Sequence, residues 1–250
     1  FINKNSLVFV ISYSGNTEET HAAYEEAKKR SAQIVVITSG GDLAARAKED
    51  KIPIILVPSG LQPRMAFGYQ TIPILNVLQS ANLIAPINWN KVVGALNKCQ
   101  EIDFTAIRIA DFLEGKIPII YSSPQFASVA YKWKININEN AKTHAFCNYF
   151  PEFNHNEING FVNLKGNYAV IILRDHDDHP RIKKRMEVIE QLLRDKMIPV
   201  MVIDRMFDDL PARILGAIWL GDWVSYHVAL DLKTDPTPVM IIEDLKKALK

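Results

Sequence analysis

The sequence predicts an α/β protein built from two doubly wound parallel sheets. Apolar, β-branched runs recur along the 250-residue chain, helix-like segments separate them, and a second strand–loop–helix unit begins after residue 115. Strands that alternate with helices imply right-handed crossovers and therefore parallel strands. We accordingly expect two similar domains, residues 1–114 and 115–250. We expect the first to be incomplete, because residue 1 is Phe rather than Met and a strand begins almost at once.

The first domain should open with a strand at 7–11, since this run is rich in β-branched and aromatic residues. A helix should follow at 17–30, with two glutamates in its first turn and three basic residues in its last, as the helix dipole favours. The remaining predicted elements are strands at 34–38 and 54–57 and helices at 42–48, 64–81, 89–99 and 102–113.

The second domain repeats this opening pattern. A strand at 117–121 runs into two serines and a proline, and a helix should begin at about 126. Proline is favourable at the first position of a helix, so Pro180 marks the start of a charged helix at 180–196. The other predicted elements are strands at 168–173 and 200–203 and helices at 210–230 and 239–249.

Composition narrows the class of protein. Apolar residues make up 48% of the chain, enough for a substantial core. Lys and Arg number 29 and Asp and Glu 28, so the net charge predicts neither a nucleic-acid nor a membrane partner. Cys99 and Cys147 lack metal-ligand spacing, and so few cysteines argue against a disulfide framework. With no long apolar run and no signal peptide, we expect a soluble cytoplasmic protein.

The segment 12–17 predicts an anion site. Ser12, Ser14, Asn16 and Thr17 place hydroxyl and amide groups where a strand ends and a helix begins, and Gly15 permits a tight turn. The free backbone N–H groups of a helix N-terminus favour phosphate at this position. The alternative is that Ser14 or Thr17 only caps the helix. Four candidate donors in so short a segment favour the binding interpretation.

The polar segment 151–160 contains two carboxylates and a histidine between phenylalanines. A carboxylate that moves a proton between adjacent carbons must be partly desolvated, which raises a carboxyl pKa towards the operating pH. Glu157 is the better candidate for this work. The alternative is that Asn154 and His155 make hydrogen bonds within turns and that the glutamates are solvated.

Residues 175–179, Asp-His-Asp-Asp-His, follow a strand and precede a helix, at the edge where open α/β sheets bind ligands. Three interpretations stay open for this turn: a metal site through His176 and His179, a solvated acidic turn, and one histidine acting as an acid or base. Pro180 prevents a continuous helix from presenting both histidines, which weakens the metal interpretation.

Two basic residues lie near predicted element ends. Arg64 follows the strand at 54–57, where a guanidinium could stabilise an enediolate or a phosphate. A surface arginine at a helix N-terminus is the alternative. Lys246 belongs to the last helix and is most simply a solvated lysine on its surface.

The loop 12–17 resembles the Ser-x-Ser-Gly-x-Thr signature of sugar isomerase (SIS) domains, which cradles the phosphate of a phosphosugar. Nearly the whole chain resembles one family, the bifunctional phosphoglucose/phosphomannose isomerases of archaea and some bacteria. The matching blocks follow the same order and lie at 12–17, 63–64, 130–142, 154–157, 179–181 and 235–246. Several blocks in one order are far more specific than any single block.

The resemblance implies a reversible aldose–ketose isomerase that converts glucose 6-phosphate, and also mannose 6-phosphate, to fructose 6-phosphate through a cis-enediol. It implies that Ser12, Ser14 and Thr17 bind the phosphate of this phosphosugar substrate. Glu157 would carry a proton between C2 and C1. Arg64 would stabilise the negative charge of the intermediate.

The same resemblance implies that His179, with His176 as the fallback, works with Lys246 in opening the pyranose ring. That histidine would come from the neighbouring subunit, so a homodimer with a shared active site is implied. The family associates tolerance of mannose 6-phosphate with a threonine near the last lysine, for which Thr237 is the counterpart. No metal or other cofactor is implied. An SIS domain has a further βα unit before the first strand seen here, so truncation would remove one wall of the site.

Two other functions compete with the isomerase. The first is a catalytically silent SIS regulator that only binds phosphosugars, although such regulators usually carry an appended DNA-binding or partner-binding module. The second is the isomerase part of a glutamine-dependent aminosugar synthase. This sequence contains no glutaminase domain, but truncation would hide one.

Overall fold

A computed structural model describes residues 1–99, 101–204 and 207–249, and it divides into two compact units, residues 1–87 and 88–250. Each unit contains one parallel sheet with helices packed on it, which confirms the predicted α/β class. The boundary between the units therefore lies earlier in the chain than residue 115, the position at which the second strand–loop–helix pattern begins. Two helices, Trp89–Asn97 and Ile102–Leu113, pack within the second unit.

The first unit has three strands in the order β1-β2-β3, all parallel. The predicted helix at 64–81 is divided, because residues Pro63–Met65 form a short 3₁₀ turn before the α-helix begins. The elements of this unit are β1 (Leu7–Ile11), α1 (Glu18–Lys29), β2 (Gln33–Thr38), α2 (Gly41–Glu49), β3 (Ile54–Leu56) and α3 (Phe67–Ser80).

Both faces of the first sheet are covered. Successive residues of a strand point to opposite faces, and Val36 accordingly packs towards α1 and α2 while Ile37 packs on the other side. The first face buries Tyr24 and Leu43 completely, and the second buries Ala66. A strand covered on both faces needs a nearly continuous apolar run, which explains why β1 and β2 could be predicted from sequence.

The second unit has four parallel strands in the order β5-β4-β6-β7. The chain runs from β4 to one neighbour and then to the other, so the order reverses at β4 as in a doubly wound sheet. Among the described residues, no helix combines the length and apolar character needed to cross a membrane. The elements are α4 (Trp89–Asn97), α5 (Ile102–Leu113), β4 (Ile117–Ser122), α6 (Ala127–Asn140), β5 (Phe146–Tyr149), β6 (Tyr168–Arg174), α7 (Pro180–Asp195), β7 (Val200–Asp204), α8 (Leu210–Asp231) and α9 (Met240–Ala248).

Strand β5 is absent from the sequence prediction. It has four residues and lies at the sheet edge, where it pairs in parallel with β4. None of its residues is buried, so it lacks the continuous apolar run that identifies the other strands. The pairing places Asn148 of β5 beside Tyr121 of β4.

Helices α6 and α8 pack closely, and polar side chains connect them. A Cβ on Gly221 would lie 2.4 Å from the Trp133 ring, so this position requires glycine for the helices to approach. The Trp133 Nε1–H donates to the Ala217 carbonyl at 2.7 Å. Lys132 and Asp222 form a mostly buried ion pair at 3.1 Å, and burial raises the pKa of Asp222 against the effect of the lysine. The block at 130–142 therefore contributes packing between helices.

Candidate active site

The loop between β1 and α1 leaves the N-terminus of α1 without a side-chain cap. Thr17 occupies the N-cap position, but its hydroxyl lies 2.8 Å from the Ser12 hydroxyl and makes no capping hydrogen bond. The Ser14 hydroxyl accepts from the Asn16 N–H at 3.3 Å. Thr17 is therefore the N-cap by position only, and the interpretation that the Ser14 or Thr17 side chain caps the helix is wrong. A twelve-residue helix without a side-chain cap presents N–H groups that suit an anion.

A second loop, between β2 and α2, fixes the shape of the first. Gly15 has φ +71°, and a Cβ there would lie 1.9 Å from the Gly40 carbonyl oxygen, so only glycine fits. The Gly15 carbonyl accepts from the Leu43 N–H at 2.9 Å and from His21 Nε2 at 3.0 Å. The Asn16 side chain accepts from the Asp42 N–H at 3.0 Å. These bonds hold the hydroxyl-bearing loop in one conformation.

Arg64 is buried in the first unit, with 7% of its surface exposed, so its interpretation as a surface arginine is wrong. It lies in the 3₁₀ turn before α3 and donates to the Gln62 side-chain oxygen at 3.3 Å. Tyr13, from the loop after β1, donates to the Pro58 carbonyl at 2.8 Å and accepts from the Leu61 N–H at 3.0 Å. Tyr13 therefore connects the loop 12–17 to the segment that leads to Arg64.

In the second unit, the Glu157 carboxylate is half-buried and accepts one hydrogen bond at each oxygen. The Tyr121 hydroxyl donates to Oε1 at 2.6 Å, and the Asn148 side-chain amide donates to Oε2 at 2.6 Å. The interpretation of Glu157 as a solvated glutamate is therefore wrong. Burial, and then the hydrogen bond to Glu157, hold the pKa of Tyr121 far above its usual range, so this hydroxyl stays a neutral donor.

The histidine turn, residues 175–179, presents His179 at the N-terminus of α7. Its Nδ1 accepts from the Arg181 N–H at 3.1 Å, so the proton of the neutral ring is on Nε2. His179 and His176 are both exposed. His176 Nε2 lies 3.1 Å from an oxygen of Asp177.

Arg213 of α8 anchors the histidine turn from inside the unit. Its guanidinium is 3% exposed and pairs with Asp175, which is 1% exposed, at 2.8 Å. It also donates to Asp177 and, at 2.5 Å, to the Asp208 carbonyl. Asp175, His176 and Asp177 lie close enough together to hold a metal ion, but both carboxylates are already paired with Arg213. The arrangement supports a structural ion pair, and the solvated-turn interpretation is wrong for Asp175.

Lys246 lies on α9, a helix without buried residues, and pairs with Glu243 of the same helix at 3.5 Å. Its side chain is 64% exposed, which matches the solvated-lysine interpretation for a single chain. Thr237 precedes α9 and donates its N–H to Asp235 at 2.9 Å. Within the second unit, Glu157, His179 and Lys246 therefore have separate sets of partners, whereas Ser12 and Thr17 of the first unit are in direct contact.

Three residues around the candidate site are not predicted from the sequence: Tyr13, Tyr121 and Asn148. A tyrosine in an otherwise apolar strand needs a partner for its hydroxyl, and that signal was available at Tyr121. Asn148 could not be found, because its strand β5 was not predicted.

Family models match both units. A model described as the bacterial phospho-glucose isomerase C-terminal SIS domain matches residues 102–249, and a model of the SIS domain matches residues 1–62. The first of these matches covers more than half of the chain and contains Glu157, His179 and Lys246. The second contains the loop 12–17.

Curated relatives resemble the chain over its whole length. A bifunctional phosphoglucose/phosphomannose isomerase of Caldicellulosiruptor bescii is 38% identical over 100% of this chain and 78% of its own length. One of Aquifex aeolicus is 36% identical with the same coverage. Among solved structures, a hypothetical protein from Thermus thermophilus superposes with a TM-score of 0.80 over 98% of this chain and 70% of its own. Its 14% identity supports the fold alone.

Proposed function

The chain belongs to the bifunctional phosphoglucose/phosphomannose isomerase family, and on that premise we propose which of its residues perform the reaction. It is an aldose–ketose isomerase that interconverts glucose 6-phosphate and mannose 6-phosphate with fructose 6-phosphate. The observation that carries the residue assignment is the half-buried Glu157 carboxylate, oriented by two hydrogen bonds at 2.6 Å. Such a group is suited to accept and return a proton.

In the proposed reaction, Glu157 takes the proton from C2 of the open-chain aldose. The electron pair of the C2–H bond forms the C1–C2 double bond, and the carbonyl oxygen on C1 takes up the negative charge. The buried Arg64 stabilises that charge in the enediolate. Transfer of the O2 proton to O1 gives the enediolate with its charge on O2. Glu157 then returns its proton to C1 as the C2 carbonyl forms, which gives the ketose.

Ring opening precedes this step. A cyclic hemiacetal opens when one group takes the proton of the C1 hydroxyl and another protonates the ring oxygen. We assign this work to His179 together with Lys246, with His176 as the fallback. We also assign His179 to the neighbouring subunit's active site, so the working form that we propose is a homodimer. We place this homodimer in the cytoplasm. The chemistry is acid–base throughout and needs no cofactor.

A coupled assay tests the activity itself. We expect both glucose 6-phosphate and mannose 6-phosphate to yield fructose 6-phosphate, and we expect unphosphorylated glucose and mannose to give no product, because the anion anchors the substrate. Binding of both phosphosugars without turnover would instead favour the regulator. Formation of an aminosugar phosphate from fructose 6-phosphate and ammonia would favour the synthase.

The phosphate-binding role of Ser12, Ser14 and Thr17 predicts a loss of affinity. A hydrogen bond to a charged group contributes about 1.5–3 kcal/mol, so Thr17→Ala should weaken phosphosugar binding by that amount in calorimetry. Thr20→Ala, one turn further along α1, is the matched control and should bind normally. Unchanged affinity in alanine variants at all three loop positions would remove the loop from the binding site.

A further inference from the structure

Glu157 must serve two neighbouring carbons from one position, although its side chain has three rotatable bonds. We propose that Tyr121 and Asn148 are positioning residues that fix the Glu157 carboxylate, each through one hydrogen bond to one oxygen. This inference rests on the proposed role of Glu157 as the base. It adds two residues that act on the reaction through Glu157.

The sheet itself sets the spacing of the two donors. Tyr121 of β4 and Asn148 of β5 are register partners in the parallel pair. Register partners on neighbouring strands point to the same face, and the strands lie about 4.8 Å apart. The two donors therefore emerge side by side and can reach the two oxygens of one carboxylate. A register slip of one residue would turn one donor to the opposite face.

A rigid aromatic cluster holds the Tyr121 hydroxyl in place. The Tyr121 ring stacks on Phe153 with centroids 4.1 Å apart and planes 9° apart. Phe153 in turn packs edge-on against Phe150 at 4.7 Å. All three rings are fully buried. Because close-packed interiors resist displacement, the hydroxyl presents a fixed point to Oε1 of Glu157.

Both hydrogen bonds are compatible with the protonated and the ionised form of Glu157. Each carboxylate oxygen can accept two hydrogen bonds, so Tyr121 and Asn148 leave a lone pair free on each oxygen for the transferred proton. Tyr121 stays protonated, as its raised pKa indicates, and the Asn148 amide carries no titratable proton. The pair can therefore hold the side chain through both halves of the reaction.

The first test uses Tyr121→Phe, which keeps the stacked ring, and Asn148→Ala. Misplacing a reacting group by about 1 Å can cost about a hundredfold in rate, so we expect kcat to fall about ten- to a hundredfold in each variant. KM should stay within about twofold, because substrate binding is not touched. Tyr168→Phe, at the start of β6, removes a hydroxyl elsewhere in the sheet and should keep normal activity. If Asn148→Ala does not fold, Asn148→Ser replaces it, since the shorter side chain cannot reach Glu157.

A double-mutant cycle with Glu157→Gln shows whether Tyr121 and Asn148 affect kcat through the Glu157 carboxylate. If Tyr121 and Asn148 act through the carboxylate, their substitution should cause no further loss in the Glu157→Gln background. The proposal would be overturned if the rate losses of the single variants multiplied in the double variants. It would also be overturned if kcat were unchanged in both Tyr121→Phe and Asn148→Ala. If Glu157→Gln itself keeps the parent rate, the assignment of the base is wrong. If only Glu157→Gln loses activity, the base stands and the positioning role is wrong.

Discussion

Glu157→Gln is expected to lower kcat about 100- to 10,000-fold, because it removes the general base and keeps the shape of the side chain. The carboxylate accepts from Tyr121 and Asn148 at 2.6 Å. The glutamine oxygen can still accept from Asn148, and its NH2 group can donate to the Tyr121 oxygen, so both partners remain usable. Phosphosugar binding should change little, since the phosphate contacts that we propose come from a different loop, residues 12–17. The measurement that isolates this step is exchange of the C2 proton of the substrate with solvent, followed by NMR.

Glu152→Gln is the matched control for that experiment. Glu152 lies in the same polar segment, but it is exposed and accepts from the Asn156 side chain at 2.9 Å. Its substitution should leave exchange and turnover near the parent values. Proton exchange at the parent rate in Glu157→Gln would show that another group is the base. Loss of exchange in both variants would indicate damage to the segment as a whole.

The fold could be predicted largely because both sheets are parallel and buried. A strand with both faces covered is apolar along its length, as in β1, β4 and β6, and this pattern is visible in sequence. The start of α7 could also be predicted, because Pro180 occupies the first position of this helix. Strand β5 was not predicted, because an edge strand of four residues, none of them buried, has no such apolar pattern.

The candidate site could be predicted only in part, because sequence shows which groups can react and not what holds them. Glu157 was found from its polar surroundings. Asn148 became visible only through the β4–β5 register, which brings it beside Tyr121. Likewise Arg213 lies 38 positions after Asp175, and only the fold pairs them. The opposite also occurs: residues 130–142 match the family in sequence, but Lys132 of this segment has a structural role, because it pairs with Asp222 where α6 packs on α8.

A shared active site predicts that two inactive variants restore each other. His179→Ala and Glu157→Gln should each be inactive as homodimers, because every site of each homodimer lacks one of the two residues. His179 is exposed and caps α7 through its Nδ1, so its Nε2–H points away from the cap. In a mixed dimer one of the two composite sites contains both intact residues. Equal mixing in a twofold dimer should therefore recover about a quarter of the parent activity.

The control pair is Glu157→Gln mixed with Lys246→Ala. If both residues serve the site of their own chain, every composite site in this mixture lacks one of them, and no activity should return. Subunit exchange is verified in both mixtures by differential tags, so that a negative result has meaning. Absence of recovery in the His179 mixture after exchange would contradict a shared site. Full activity of His179→Ala alone would exclude His179 and leave His176 as the remaining histidine of the turn. Recovery confined to the His179 mixture would place the ring-opening histidine across the subunit interface from the carboxylate and the lysine.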